Sequence, residues 1–178
     1  EKSFFENHLY TLGRPTTIPD NSTKQLELFD AARSVPADKV LVYDGAGLGG
    51  YAASGRYTDR GFTGSGNTKV DVFLRFDNDK DHGLGIPMPQ GRVRVSQLDT
   101  ADGSLEFIGE DTIDHAPRGE EILIKLGQAF DVVGERTQTD FSVDSNRKTM
   151  TETIEVTLRN RKDEPVDVIV RETMYRWT

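Results

Sequence analysis

The chain has 178 residues, 17 of them glycine, and a mean hydropathy of −0.56. That length suits one large or two small β domains burying about 70% of the unfolded surface, with many turns and few long helices. Thirty acidic against 22 basic residues give a net charge of −8, which argues against nucleic acid or an anionic bilayer surface as a partner.

Cysteine is absent, so disulfides, thiolate metal sites and cysteine nucleophiles are excluded. No apolar run approaches the roughly 18 to 20 residues of a membrane-spanning helix. The chain opens at Glu1 without a signal-like apolar stretch and reads as a segment processed or excised from something longer.

Taken in order, Glu1–Leu12 is a short apolar-aromatic opening suited to an extended segment docking on a sheet. Pro15 and Pro19 bracket Thr16–Ile18, which suits an edge strand or an extended linker. Lys24–Ala32 alternates Leu26 and Leu28 with Gln25 and Glu27 and is predicted as a strand, although its composition would tolerate one helical turn. Lys39–Tyr43 is a short apolar strand. Asp44–Thr68 then carries eight glycines in 25 residues and no apolar period, the composition of a long loop or hairpin tip.

The stretch Lys69–Val95 reads as strand, rigid connector, strand. Val70, Val72, Leu74 and Phe76 face one way and Asp71, Arg75 and Asp77 the other, while Val93 and Val95 alternate with Arg92, Arg94 and Ser96. Between them Asn78–Gly91 holds three glycines and two prolines, which fix turns and forbid a helix. Further strands are predicted over Ser104–Ile113, after an Asp102–Gly103 turn, and over Glu121–Leu126, Gln128–Asp140, Thr149–Arg159 and Pro165–Trp177. Repeated strands without a convincing helix predict an all-β fold: an antiparallel β-sandwich, immunoglobulin-like in the C-terminal half. Residues 1–90 form an N-terminal β region and residues 91–178 the sandwich, or the two join in one continuous sandwich.

Candidate chemistry is sparse. Gly45, Gly47 and Gly50 satisfy G-x-G-x-x-G after a strand, but the following residues are broken by Gly55, Gly61, Gly64 and Gly66 and offer no helix to hold a pyrophosphate. No cofactor is therefore expected. Asp77, Asp79 and Asp81 alternate as at the start of a calcium loop, yet His82 and Met88 stand where such a loop needs glycine and a bidentate glutamate. A looser hard-cation site at these three carboxylates is the candidate metal site. The favoured reading is a solvated polar turn, stabilised by Asn78 and Asp79 through side-chain-to-backbone bonds.

His8, His82 and His115 lie too far apart in sequence to suggest zinc. Ser65 lacks the strand-to-helix elbow of a nucleophile. Pairs such as Glu110–Asp111 and Glu120–Glu121 point to opposite faces of a strand, so adjacency makes no acid/base pair. No catalytic residue is assigned. Arg171, Tyr175, Arg176 and Trp177 are residue types enriched at interfaces, and their strand either lies within the domain or pairs with further chain or a protein partner.

Three segments, Phe5–Ala31, Phe73–Val95 and Ser104–Arg136, resemble domain-of-unknown-function family 4139, which includes bacterial mucoidy-inhibitor-like proteins. The most specific piece is N-x-x-x-x-G-L-G-x-P-x-P at Asn78–Pro89. The glycine-rich stretch 44–68 lies outside the resemblance. The resemblance implies a bacterial, exported or periplasmic β-domain and carries no catalytic residues. Together these readings point to a non-catalytic binding or scaffold module of the cell envelope. The alternatives are a hydrolase using a hard cation near Asp77–Asp81 and a structural spacer in a longer chain.

Overall fold

The computed structural model describes residues 2–4, 7–46, 58–61, 66–146 and 148–173, the side chains of 2–4, 7 and 8 excepted. Among them there is no helix, and the fold is all-β. The strands are β1 (Lys2–Phe4), β2 (Asn7–Leu9), β3 (Asp38–Asp44), β4 (Lys69–Asp77), β5 (Gly91–Leu98), β6 (Leu105–Ile113), β7 (Glu121–Asp144), β8 (Thr149–Asn160) and β9 (Val168–Arg171). They divide between two compact units. The first comprises Glu1–Ala37, Phe76–Gly91 and Ile113–Ile122; the second comprises Asp38–Arg75, Arg92–Thr112 and Leu123–Thr178.

The second unit is built on an open five-stranded sheet in the order β8-β7-β4-β3-β9. Strand β3 pairs antiparallel with β4, placing Leu41 opposite Val72 and Tyr43 opposite Val70. On its other side it pairs parallel with β9, Leu41 opposite Val168. The sheet is therefore mixed, with one parallel pair among the expected antiparallel ones. Leu41, Val42 and Tyr43 are all buried, because β3 has strand neighbours on both sides and is covered on both faces. Leu41, Tyr43, Val70 and Val132 form the core, with Val72, Ala129, Val156, Val166 and Val168 packed against it.

Tyr43 organises this core. Its ring lies on Gly134, where a Cβ would overlap the ring atoms, so glycine is required for that approach. Its hydroxyl donates to the carbonyl of Asn67 at 2.6 Å. Burial pushes the Tyr43 phenol above its ordinary value of 10.0, the neighbouring Arg136 guanidinium opposing this in part. Asn67 also donates to the Asp44 carbonyl at 3.0 Å, closing the base of the glycine-rich segment. Beside Tyr43, the Arg136 side chain is only 2% exposed and meets Glu172 through Nη2 to Oε1 at 2.6 Å, with Nε to Oε2 at 3.0 Å. This pair fixes the residue that follows β9.

Strands β5 and β6 form a separate two-stranded sheet. The connection Asp99–Ser104 is too short for a parallel crossover, so this is a hairpin. Gly103, at φ +78°, accepts the left-handed turn that the Asp102–Gly103 pair predicts. Midway along β6, Gly109 lies against the backbone of Leu126, too close for a Cβ.

Several sequence expectations need correction. Lys24–Ala32 joins no ladder; Leu26 and Phe29 are its half-buried residues, a spacing of three that the Leu26–Leu28 alternation hides. Glu121–Leu126 and Gln128–Asp140 are one strand, β7, which passes through Gly127 at φ +151°, a conformation closed to L side chains. Just after that glycine the in–out pattern inverts, so Ala129 packs on the core and Phe130, expected to share a face with Val132, is 94% exposed. Among the described residues of the final predicted strand, Val168–Arg171 form β9, and Met174–Trp177 lie outside the described residues. Val166 and Val168 reach the core as expected, whereas Val170 is exposed.

Candidate functional site

The first unit contains the segment that the sequence singles out. At its head is Asn78, fully buried and yet polar. Its amide nitrogen donates to the carbonyls of Ile86 at 2.7 Å and Pro117 at 2.9 Å. Its side-chain oxygen accepts from the amides of Gly85 at 3.1 Å and Ile86 at 3.3 Å. Its own amide donates to the Glu120 carbonyl, and its carbonyl accepts from Gly119, at 2.9 and 2.8 Å. Every hydrogen-bonding group of the residue is used, which is what makes burial of an amide tolerable. Gly85 is held at φ +74°, and a Cβ there would stand 2.8 Å from the Lys80 nitrogen. The neighbouring Met88 and Ala116 exchange backbone bonds at 2.9 and 3.0 Å. Asn78 thus ties two loops together.

Asp79 works on the turn itself. One carboxylate oxygen accepts from the His82 amide at 2.7 Å and the other meets His82 Nδ1 at 2.8 Å. The bond from the His82 amide, supported by the imidazole, holds the Asp79 carboxyl below its ordinary value. Asp77 lies 3.9 Å from the same ring nitrogen. Ligand atoms of Asp77, Asp79 and His82 all fall within 4.8 Å of one another.

Of the three carboxylates read from the sequence, Asp77 and Asp79 are brought together, while Asp81 is exposed and outside this group. Its place is taken by His82, which the sequence reading treated as a misfit in a calcium loop and as too far from the other histidines for zinc. Two carboxylates and an imidazole suit a borderline ion such as zinc better than the all-oxygen shell of calcium. A bound ion would have to compete with His82 for Asp79.

The unit also contains an open cleft of about 430 Å³, lined by Tyr10, Thr11, the 28–32 segment, Gly83, Leu84 and Ile86. Tyr10 and Phe29 meet edge-on, ring centroids 5.4 Å apart, and the Tyr10 hydroxyl donates to the Pro87 carbonyl at 3.0 Å. Aromatic walls with convergent polar groups are a usual composition for a ligand site. Sequence reasoning missed this cleft. The signal available was Phe29 itself, an aromatic residue three positions after Leu26 that breaks the Leu26–Leu28 alternation.

The remaining candidates do not assemble into chemistry. His115 Nδ1 accepts from the Gln90 amide at 3.2 Å, and the Gln90 side chain donates to Asp114 at 3.3 Å. Glu110 binds Arg92 and Arg94, and Asp111 accepts from the Lys125 amide. Gly47 and Gly50 of the glycine motif, Ser65, and Tyr175–Trp177 lie outside the described residues, as does the His8 side chain. No helix among the described residues is long and apolar enough to cross a membrane. No protein-family model, curated protein or solved structure matches this chain.

Proposed function

We propose that this chain is a non-catalytic binding or scaffold β-domain of a bacterial envelope protein, immunoglobulin-like over residues 91–178, which takes a small amphipathic ligand or peptide in the Tyr10–Phe29 cleft. The observation that carries this reading is the cleft, with aromatic and aliphatic walls bordered by the unladdered 28–32 backbone. Asp79 is held ionised by a backbone bond, the opposite of the raised carboxyl a general acid needs. The envelope assignment rests on the resemblance at Asn78–Pro89.

The test is thermal unfolding with nucleotides, sugars, peptidoglycan fragments and short apolar peptides, each with calcium, zinc or EDTA. A ligand confined to the native state adds about 2.7 kcal/mol at a hundredfold excess over Kd. A midpoint rise with an organic ligand, abolished by filling the cleft with Ala31→Trp and indifferent to EDTA, is expected. A rise with calcium or zinc that EDTA reverses, with ester or phosphoester hydrolysis lost in Asp77→Asn, would favour the cation-dependent hydrolase instead. A flat panel would favour the structural spacer.

A further inference from the structure

The β5–β6 hairpin ends in Ser96–Ile108, SQLDTADGSLEFI, where Leu98, Leu105, Phe107 and Ile108 are all exposed, Leu105 by 70% and Phe107 by 60%. Side chains alternate along β6, so Leu105 and Phe107 share one face and Ile108 takes the other. Apolar side chains gathered in water at one tip mark an interaction surface more often than chance exposure does.

The same segment holds Asp99, Asp102 and Glu106 and neither lysine nor arginine. The hairpin's cations, Arg92 and Arg94, sit nearer its base and are paired with Glu110 at 3.3 and 3.0 Å. The three carboxylates are held in place. Asp99 accepts from the Ala101 amide, Asp102 from the Ser104 amide and Glu106 from the Ser104 hydroxyl, each at 2.8 Å. None of these bonds removes the charge. The two strands form a sheet of their own, so among the described residues no further strand is ladder-paired to either edge, and β7 approaches β6 only from Gly109 onward, beyond the tip.

We propose that this tip is a docking surface for an extended polypeptide segment in which apolar residues alternate with lysine or arginine, added as a further strand to an open edge of the hairpin. The apolar side chains supply contact area, and the three uncompensated carboxylates select a cationic partner and speed its encounter. The same charges disfavour an identical tip on a second copy and the anionic face of a bilayer. The surface shares no residue with the cleft and needs no ligand there.

The test titrates the whole chain with a short capped peptide alternating lysine and valine, and with its glutamate–valine counterpart, following backbone amides by NMR. Amide shifts confined to Gly91–Ile113 are expected with the lysine peptide alone. Affinity should fall about tenfold or more between low salt and about 0.5 M salt. Leu105→Ser with Phe107→Ser should weaken binding about tenfold. Asp99→Asn, Asp102→Asn and Glu106→Gln together should remove most of the salt dependence while retaining carbonyls that still cap the turn. An unchanged spectrum outside the hairpin verifies that these variants fold. No shift with the lysine peptide, equal shifts with the glutamate peptide, a concentration-dependent dimer through the same amides, or preference for phosphatidylglycerol vesicles would each overturn the assignment.

Discussion

Asn78 is buried and serves two loops of the first unit at once. Asn78→Ala would leave the carbonyls of Ile86 and Pro117 and the amides of Gly85 and Ile86 short of partners. Desolvated groups of this kind cost about 1–3 kcal/mol each, so a loss of about 3 kcal/mol or more is expected in urea unfolding. Asn78→Asp should fare no better, since a carboxylate would face two carbonyls. The glycines and prolines after Asn78 make a turn legible, although a solvated one, whereas the full burial of Asn78 and its bond to Pro117 are set by the fold. The approach of His82 was not legible in that way. The histidines were weighed by their spacing from one another, whereas the partner of His82 is the carboxylate three residues back. Asp79 adds a pH dependence. Its folded value lies below the ordinary 3.8, so its contribution is fully present above that value and is lost as pH falls through the lower folded value. Amide shifts of His82 should therefore carry a transition below the ordinary aspartate value of 3.8, and Asp79→Asn should abolish that transition. A His82 amide that titrated with an ordinary aspartate value would sink this account.

At the scale of the element, legibility followed burial on one face. Strand β3, buried on both faces, was read from its short apolar run, whereas β8 was read from period-two alternation, which survives where a strand has one consistent inner side. It failed at Phe130, where the glycine at 127 admits a backbone conformation that inverts the pattern for a few residues. It failed again at the end of the chain, where four residues of β9 are held partly by an ion pair that no alternation encodes. Arg136 lies inside β7 among residues that would read as ordinary strand, and only the fold brings it to Glu172. This pair is a check on how β9 is retained. Glu172→Gln leaves a guanidinium almost wholly out of water with a neutral partner, a change worth about 3–5 kcal/mol in fully buried pairs. About 3 kcal/mol is expected here, because 31% of the Glu172 side chain remains in solvent. Hydrogen exchange should quicken first at Val168–Arg171, the parallel partner of β3. Uniform quickening throughout the sheet would mean that β9 is not a separately held element.

For the whole molecule, the decisive feature is that sheet order ignores sequence order. The core combines Leu41, Tyr43 and Val70 from one half of the chain with Val132 from the other, and β7 lies between β4 and β8. Composition and alternation could identify these strands; they could not say which would be neighbours, because pairing depends on closing long loops and on the Tyr43–Gly134 approach. The five-stranded sheet takes β3 and β4 from residues 1–90 and β7, β8 and β9 from residues 91–178. A fragment of residues 91–178 keeps β7 and β8 as a pair but loses the β4 and β3 neighbours of β7 and β9. It would expose Val132, Val156, Val166 and Val168, whose burial is worth about 1.5–3 kcal/mol per side chain when complete. Against a total stability of about 5–15 kcal/mol, that loss is enough to prevent folding. The expected outcome is a poorly dispersed amide spectrum for either fragment alone, with dispersion restored on mixing them, since the missing strands are then supplied in trans. A well-dispersed spectrum from residues 91–178 alone would establish an autonomous C-terminal sandwich and make the pairing with β3 and β4 an addition to it.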